Sequence, residues 1–136
     1  MKLDHIGIAV KNLDEAVRFY RDVLGLELEG VEEVPEESVK VAMFRVGDTH
    51  IELLQGTTPE SAISKFIEKR GEGIHHIAVR VEDVDKSVEV LKSRGAVLVY
   101  DKSKLVSKGS RKINFVHPKS TGGVLLELVE RVKPGE

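Results

Sequence analysis

The chain of 136 residues contains no cysteine and no long apolar run. Without cysteine, disulfides, thiolate nucleophiles and zinc–sulfur sites are excluded, so any metal ion must be held by histidine and carboxylate side chains. No apolar run approaches the roughly 20 residues that a membrane-spanning helix needs. The first residues also lack the charged and then apolar pattern of a signal peptide. We therefore expect a cytoplasmic protein without membrane partners.

The charge balance argues against nucleic acid as a partner. The net charge is −2, and 40% of the residues are hydrophobic and 32% charged, which is typical of one globular domain. The segment 101–119 differs, because it holds six basic residues and one Asp. Such a stretch suits an anionic small molecule, although a solvated loop explains the composition equally well. The basic residues are Lys102, Lys104, Lys108, Arg111, Lys112 and Lys119.

The sequence contains an internal repeat. Residues 5–17 recur as residues 76–88, with His, Ile, Val and Asp in register, and residues 47–54 recur as residues 122–129 with a common Glu-Leu pair. Such self-similarity predicts two copies of one structural unit. We expect a single domain, 1–136, made of a first module (1–56), a connecting helix (57–72), a second module (73–130) and a tail (131–136).

Hydrophobic periodicity predicts the order βαβββ in each module. Asn12 and Asp83 are expected to cap the two module helices, and Thr58 to cap the connecting helix with Pro59 at its first position. The predicted strands are residues 3–10, 26–34, 39–46 and 50–54 in the first module, and 74–81, 96–100, 112–117 and 124–130 in the second.

Four polar residues stand at unusual places in these strands. Strand alternation puts His5 and His76 on the face away from the helices, followed by small residues. Glu52 and Glu127 each interrupt an apolar strand, where a carboxylate is costly unless it is paired or binds a metal. Edge strands with Glu facing water are the alternative. Two His and two Glu at equivalent positions indicate a borderline or hard divalent ion with open coordination positions.

The sequence resembles the vicinal-oxygen-chelate superfamily, which includes glyoxalase I, extradiol dioxygenases and the methylmalonyl-CoA epimerases. Segments similar to Asp4–Val10 and Phe19–Gly25 occur widely in the superfamily. Gly73–Ile77, and Ile113–Lys119 followed by Gly122–Leu128, are similar to the epimerase branch. The resemblance implies an α+β fold in which two βαβββ modules form a cupped mixed sheet around a metal ion. It implies the ligands His5, Glu52, His76 and Glu127, and a homodimer.

The same resemblance implies an isomerase that interconverts (2R)- and (2S)-methylmalonyl-CoA by removing and returning the α-proton through a metal-stabilised enolate. Co²⁺ is favoured, with Mn²⁺, Ni²⁺, Zn²⁺ or Fe²⁺ as alternatives. Glu127 and Glu52 are the candidate catalytic residues. The second proton-transfer group is open between Lys40, Lys102 and His50. The candidate substrate-binding residues are Lys40, Lys102, Lys108, Asn114 and Lys119.

The sequence departs from the epimerase pattern at two positions. Glu52 stands where some epimerases carry Gln, and the position of a carboxylate proposed as a base in some members falls on Val41. The alternatives are a glyoxalase-like metal-dependent lyase and a non-catalytic binding protein of the same fold. His75 is expected to be a packed or capping residue, and His117 to shape a turn.

Overall fold

The structure is a computed structural model that describes residues 1–132. The chain divides into two compact units. The N-terminal unit is residues 5–75, and the C-terminal unit comprises residues 1–4 and the chain from residue 76 onward. Most of the predicted tail, residues 133–136, lies outside the described residues. Within residues 1–132, none of the helices combines the length and apolar character needed to cross a bilayer.

Strands and short helices alternate along the chain, which confirms the predicted α+β class. A π-helical turn, Phe19–Val23, extends the first helix, and a 3₁₀ turn, Pro35–Glu37, separates the second and third strands. In chain order the elements are β1 (Lys2–Ala9), α1 (Leu13–Arg18), β2 (Glu27–Val34), β3 (Val39–Val46), β4 (Thr49–Gly56), α2 (Ala62–Arg70), β5 (Gly73–Arg80), α3 (Val84–Ser93), β6 (Lys104–Val106), β7 (Arg111–Val116), α4 (Pro118–Thr121) and β8 (Leu126–Arg131).

The two units share one strand arrangement. In the N-terminal unit the order is β2-β3-β4-β1, with β1 parallel to β4 and the other pairs antiparallel. In the C-terminal unit the order is β5-β8-β7-β6, with β5 parallel to β8 and the other pairs antiparallel. The first and last strands of each repeat are therefore neighbours, which sets the positions of the polar residues that they carry.

Each unit has its own apolar core between the sheet and one helix. In the N-terminal unit, the fully buried Leu53 packs with Leu13 and Val17 of α1. In the C-terminal unit, Leu128 packs with Val84 and Val88 of α3. Because side chains alternate along a strand, the residues before these leucines project from the face opposite the helix.

Helix capping agrees with the sequence in two of three cases. The side chains of Asn12 and Asp83 cap α1 and α3, as predicted. The predicted start of the connecting helix at Thr58 is wrong. Ser61 is the N-cap of α2, because its hydroxyl accepts the Ser64 amide at 3.0 Å. Thr58 instead belongs to a preceding turn, in which its carbonyl accepts the Ser61 amide at 3.2 Å.

The predicted strand at residues 96–100 is also wrong. Val99 donates its amide to the Phe115 carbonyl at 2.8 Å, but only an isolated bridge between Leu98 and Val116 forms there. The Asn114 side chain accepts the Tyr100 amide and donates to the Tyr100 carbonyl, both at 3.2 Å. These bonds occupy the Tyr100 backbone groups that a continuing ladder would need. The edge strand is β6 instead.

A buried carboxylate stabilises the C-terminal unit. The Asp4 side chain is fully buried, and its Oδ1 accepts from Arg80 Nε at 3.0 Å and Nη2 at 2.9 Å. Arg131 Nη2 lies 3.0 Å from Asp4 Oδ2. Both arginines are partly exposed, with 44% and 41% of the side-chain surface accessible. Asp4 therefore depends on two cations that reach it from the solvent side.

Removing the two arginines should cost more stability than removing Asp4. The double variant Arg80→Met/Arg131→Met leaves the buried carboxylate without either arginine, and removing one side of a buried ion pair costs about 3–5 kcal/mol. Asp4→Asn leaves only arginines that can turn toward water, so a smaller loss is expected. Urea unfolding followed by circular dichroism measures both. Equal losses would show that burial does not penalise the Asp4 carboxylate once the arginines are removed.

Candidate metal centre

The N-terminal unit holds the first buried His–Glu pair. β1 and β4 run parallel in a register that places His5 beside His50 and Gly7 beside Glu52. Gly7 therefore places no side chain beside the carboxylate of Glu52. His5 Nδ1 lies 3.3 Å from Glu52 Oε2, and the two side chains are 1% and 7% exposed.

The C-terminal unit repeats this arrangement with His76 and Glu127. β5 and β8 run parallel, and the small Ala78 lies opposite Glu127. His76 Nε2 lies 3.0 Å from Glu127 Oε1, and the side chains are 7% and 6% exposed. In both units, therefore, a histidine and the glutamate of the parallel neighbour meet on the face away from the helix.

The spacing within each pair fits two ligands of one divalent ion. Metal–nitrogen and metal–oxygen bonds of about 2.1 Å at right or tetrahedral angles separate the donor atoms by roughly 3.0–3.4 Å. The observed separations of 3.0 and 3.3 Å agree with this range. The same contacts also satisfy both side chains as hydrogen bonds, so the distances permit either state. Imidazole and carboxylate donors suit borderline and hard divalent ions.

His50 shares the face of β4 that carries Glu52, and it is already paired. Its Nε2 lies 2.6 Å from Glu29 Oε1, and Arg45 Nη1 lies 3.5 Å from the other oxygen of Glu29. The register between β2 and β3 shifts at Glu29, between Leu28 and Gly30, and such a bulge re-aims a side chain. This pair is not predicted from the sequence, because a bulge that lacks a glycine in the left-handed backbone region leaves no clear sequence signal.

Two strand positions bear on the open proton-transfer roles. Lys40 pairs with Gln55, so it projects from the face opposite Glu52. Met43 lies beside Glu52, and the buried Val41 lies beside Leu54 on the same face. This face of β3 accordingly carries no carboxylate. Of the residues left open as second proton-transfer group, His50 shares the face of Glu52 and Lys40 does not.

The predicted substrate-binding residues of the C-terminal unit fall into two groups. Lys102, Lys108 and Lys119 are exposed. Asn114 is fully buried and lies beside Leu128, on the helix side of the sheet. Its amide bonds Tyr100 and also the Ser103 hydroxyl, at 3.3 Å. Asn114 therefore holds the loop before β6.

The remaining histidines have structural surroundings, as predicted. The His75 ring packs edge-on against Phe66 of α2 at 5.0 Å. The His117 side chain caps α4, where its Nδ1 accepts the Lys119 amide at 3.1 Å. Both differ in this from His5 and His76, which contact buried carboxylates.

Comparison with known proteins identifies the family. Residues 4–115 match the model of the Glyoxalase/Bleomycin resistance protein/Dioxygenase superfamily. The chain belongs to this superfamily. It is 37% identical to the mitochondrial methylmalonyl-CoA epimerase of Mus musculus, over 93% of this chain and 71% of that protein.

Solved structures of similar sequence extend this relationship. Methylmalonyl-CoA epimerase from Mycobacterium tuberculosis is 40% identical with a TM-score of 0.90, over 97% of this chain and 89% of that one. A Streptomyces coelicolor methylmalonyl-CoA epimerase variant in complex with 2-nitronate-propionyl-CoA is 38% identical with a TM-score of 0.91, over 97% and 95%. The predicted resemblance to the epimerases is thereby confirmed, and with it an enzyme of the isomerase class.

Removal of a paired histidine should abolish tight metal binding. Loss of residues that merely support metal ligands already costs about 10–100-fold in affinity, so His76→Ala and His5→Ala should each weaken Co²⁺ binding by more than about 100-fold. Isothermal titration with Co²⁺ measures this directly. His117→Ala, which removes a histidine that caps a helix, is the matched control. Unchanged Co²⁺ affinity in His76→Ala would exclude His76 as a ligand.

Proposed function

We propose that this protein interconverts (2R)- and (2S)-methylmalonyl-CoA in a metal-dependent reaction. Similarity to methylmalonyl-CoA epimerases over more than nine-tenths of the chain carries the proposal. The buried His–Glu pair in each unit supports it, because these side chains could hold the divalent ion that would stabilise the negative charge of the reaction. The homodimer and the cytoplasmic location stay predictions from the sequence.

The reaction inverts the carbon between a thioester and a carboxylate. Its difficult step is removal of a proton beside a group that is already negative. A divalent ion would supply the Lewis acidity that stabilises the negative charge formed in this step. We assign its binding to His5, Glu52, His76 and Glu127, with Co²⁺ as the favoured ion. The near-complete burial of these side chains excludes water, which would strengthen the attraction between the two carboxylates and a bound cation.

Inversion needs proton transfer at both faces of a flat intermediate. Glu127 and Glu52 are the proposed proton-transfer groups. Each has a histidine partner and lies on the face of its sheet away from the helix, where the neighbouring strand offers only Ala78 or Gly7. On the parallel neighbouring strand, therefore, no bulky side chain stands beside either carboxylate. This symmetry supports one proton-transfer group from each unit.

The coenzyme A portion of the substrate carries phosphates, and we assign their binding to exposed lysines. Lys102, Lys108 and Lys119 lie in the basic segment of the C-terminal unit. Lys40, exposed on β3, is a further candidate for the same charge-based contact. Asn114 contributes by holding Tyr100 and Ser103 in place.

The decisive experiment is proton NMR of methylmalonyl-CoA with purified protein and Co²⁺ in deuterated water. We expect the α-proton signal to disappear faster than in the protein-free control, and a chelator to stop the loss. If no divalent ion supports exchange of the α-proton, the proposal is wrong. Assays with the hemithioacetal substrates of glyoxalases would then test the lyase alternative. Ligand-binding screens would test the alternative of a non-catalytic binding protein.

Glu127→Gln should retain Co²⁺, since an amide oxygen still coordinates, but lose exchange. A positioned acid or base contributes about 10²–10⁴-fold, so a loss of at least about 100-fold is expected at saturating Co²⁺. Co²⁺ titration of the same sample separates loss of the metal from loss of the base. The control is Glu89→Gln, which changes an exposed carboxylate on α3. Full exchange in metal-loaded Glu127→Gln would remove Glu127 from proton transfer.

A further inference from the structure

An aromatic side chain stands directly beside the His76–Glu127 pair. Phe115 of β7 is the cross-strand partner of Glu127, so the two side chains share one face of the sheet. The Phe115 ring lies 6.0 Å from the His76 ring, nearly perpendicular to it at 88°. Directly opposed residues of an antiparallel pair have Cβ atoms about 4.5–5.5 Å apart. Phe115 is thus the apolar group next to the carboxylate.

The Phe115 ring is held in place by packing against Tyr100. Tyr100 packs edge-to-face on it at 5.8 Å, and the Lys104 ammonium lies 4.0 Å from the centre of the Tyr100 ring. The backbone of Tyr100 is in turn bonded through both its amide and its carbonyl to the buried Asn114. The buried side chain of Asn114, on the helix side of the sheet, therefore positions the backbone of Tyr100, whose ring packs against Phe115.

Phe115 retains surface that a ligand can contact. The next residues along the same face, Ile113 and its partner Val129, are only 3% and 0% exposed, so their surface is already used within the protein. Phe115 is half-buried. Among the described apolar residues opposite β8 on this face, Phe115 is accordingly the one that borders the glutamate and remains accessible.

We infer that Phe115 is a specificity-determining residue, the wall that contacts the substituent on the substrate α-carbon and limits its size. The inference rests on the proposed function. Glu127 must reach the α-proton to remove or return it, so the substituent on the same carbon lies close to Glu127 and to the Phe115 ring beside it. A methyl group at this position would contact the apolar surface of Phe115.

Shortening Phe115 should enlarge the space for the substituent and favour ethylmalonyl-CoA over methylmalonyl-CoA. One methylene in a hydrophobic pocket changes discrimination by roughly 10–200-fold. We therefore expect the ratio of kcat/KM for ethylmalonyl-CoA to that for methylmalonyl-CoA to rise at least about tenfold in Phe115→Ala, and less in Phe115→Leu. α-Proton exchange of each thioester with Co²⁺-loaded protein, followed by NMR, measures the ratio.

Controls separate this inference from general damage and from failure of the proposed function. Phe19→Leu changes an exposed phenylalanine of the N-terminal unit and should leave the ratio unchanged. If the Phe115 variants turn over too slowly, the affinities of the two thioesters for Co²⁺-loaded protein are measured by calorimetry. The ratio of the two affinities then replaces the ratio of kcat/KM and should change in the same direction. An unchanged ratio in both variants, with an active wild type, overturns the inference alone. A wild type inactive on both thioesters overturns the proposed function and this inference with it.

Discussion

The burial of a carboxylate within an apolar strand is the constraint on which this structure depends. Glu52 and Glu127 are 5% and 4% exposed, and an unpaired charge at such depth is too costly to persist. Each is satisfied by a histidine on the parallel neighbouring strand. The parallel pairing of the first and fourth strands in each repeat is what brings the two residue types together, so the topology and the polar pairs require each other.

Because side chains alternate along a strand, the glutamate and the leucine beside it lie on opposite faces of the sheet. The leucine that follows each glutamate joins the helix-side core, and the glutamate itself points away. Adjacent residues of one strand therefore have different roles, because the leucine stabilises the core and the glutamate forms the polar pair. Gly7 and Ala78 belong to the same arrangement, because each lies opposite a glutamate and places little or no side chain beside it.

The two units use the face around their pairs differently. The N-terminal unit carries an ion-paired cluster on the face of its pair, in which His50 and Arg45 both contact Glu29. The C-terminal unit places the Phe115 and Tyr100 rings beside its pair. The face that carries the His–Glu pair therefore differs between the units, with an ion-paired cluster in the N-terminal unit and aromatic rings in the C-terminal unit.

The sequence alone determined the repeat, the order βαβββ, the caps at Asn12 and Asp83 and the unusual places of His5, Glu52, His76 and Glu127. These features follow from local periodicity and from the cost of burying charge, both of which are written in the order of residues. Only the tertiary structure decided which pairs meet, that Lys40 and Asn114 face away from the glutamates of their units, and that Phe115 lies beside Glu127. Strand register, the bulge at Glu29 and the Asn114 bonds that end the ladder at Tyr100 arise from contacts between distant segments, which no local pattern encodes.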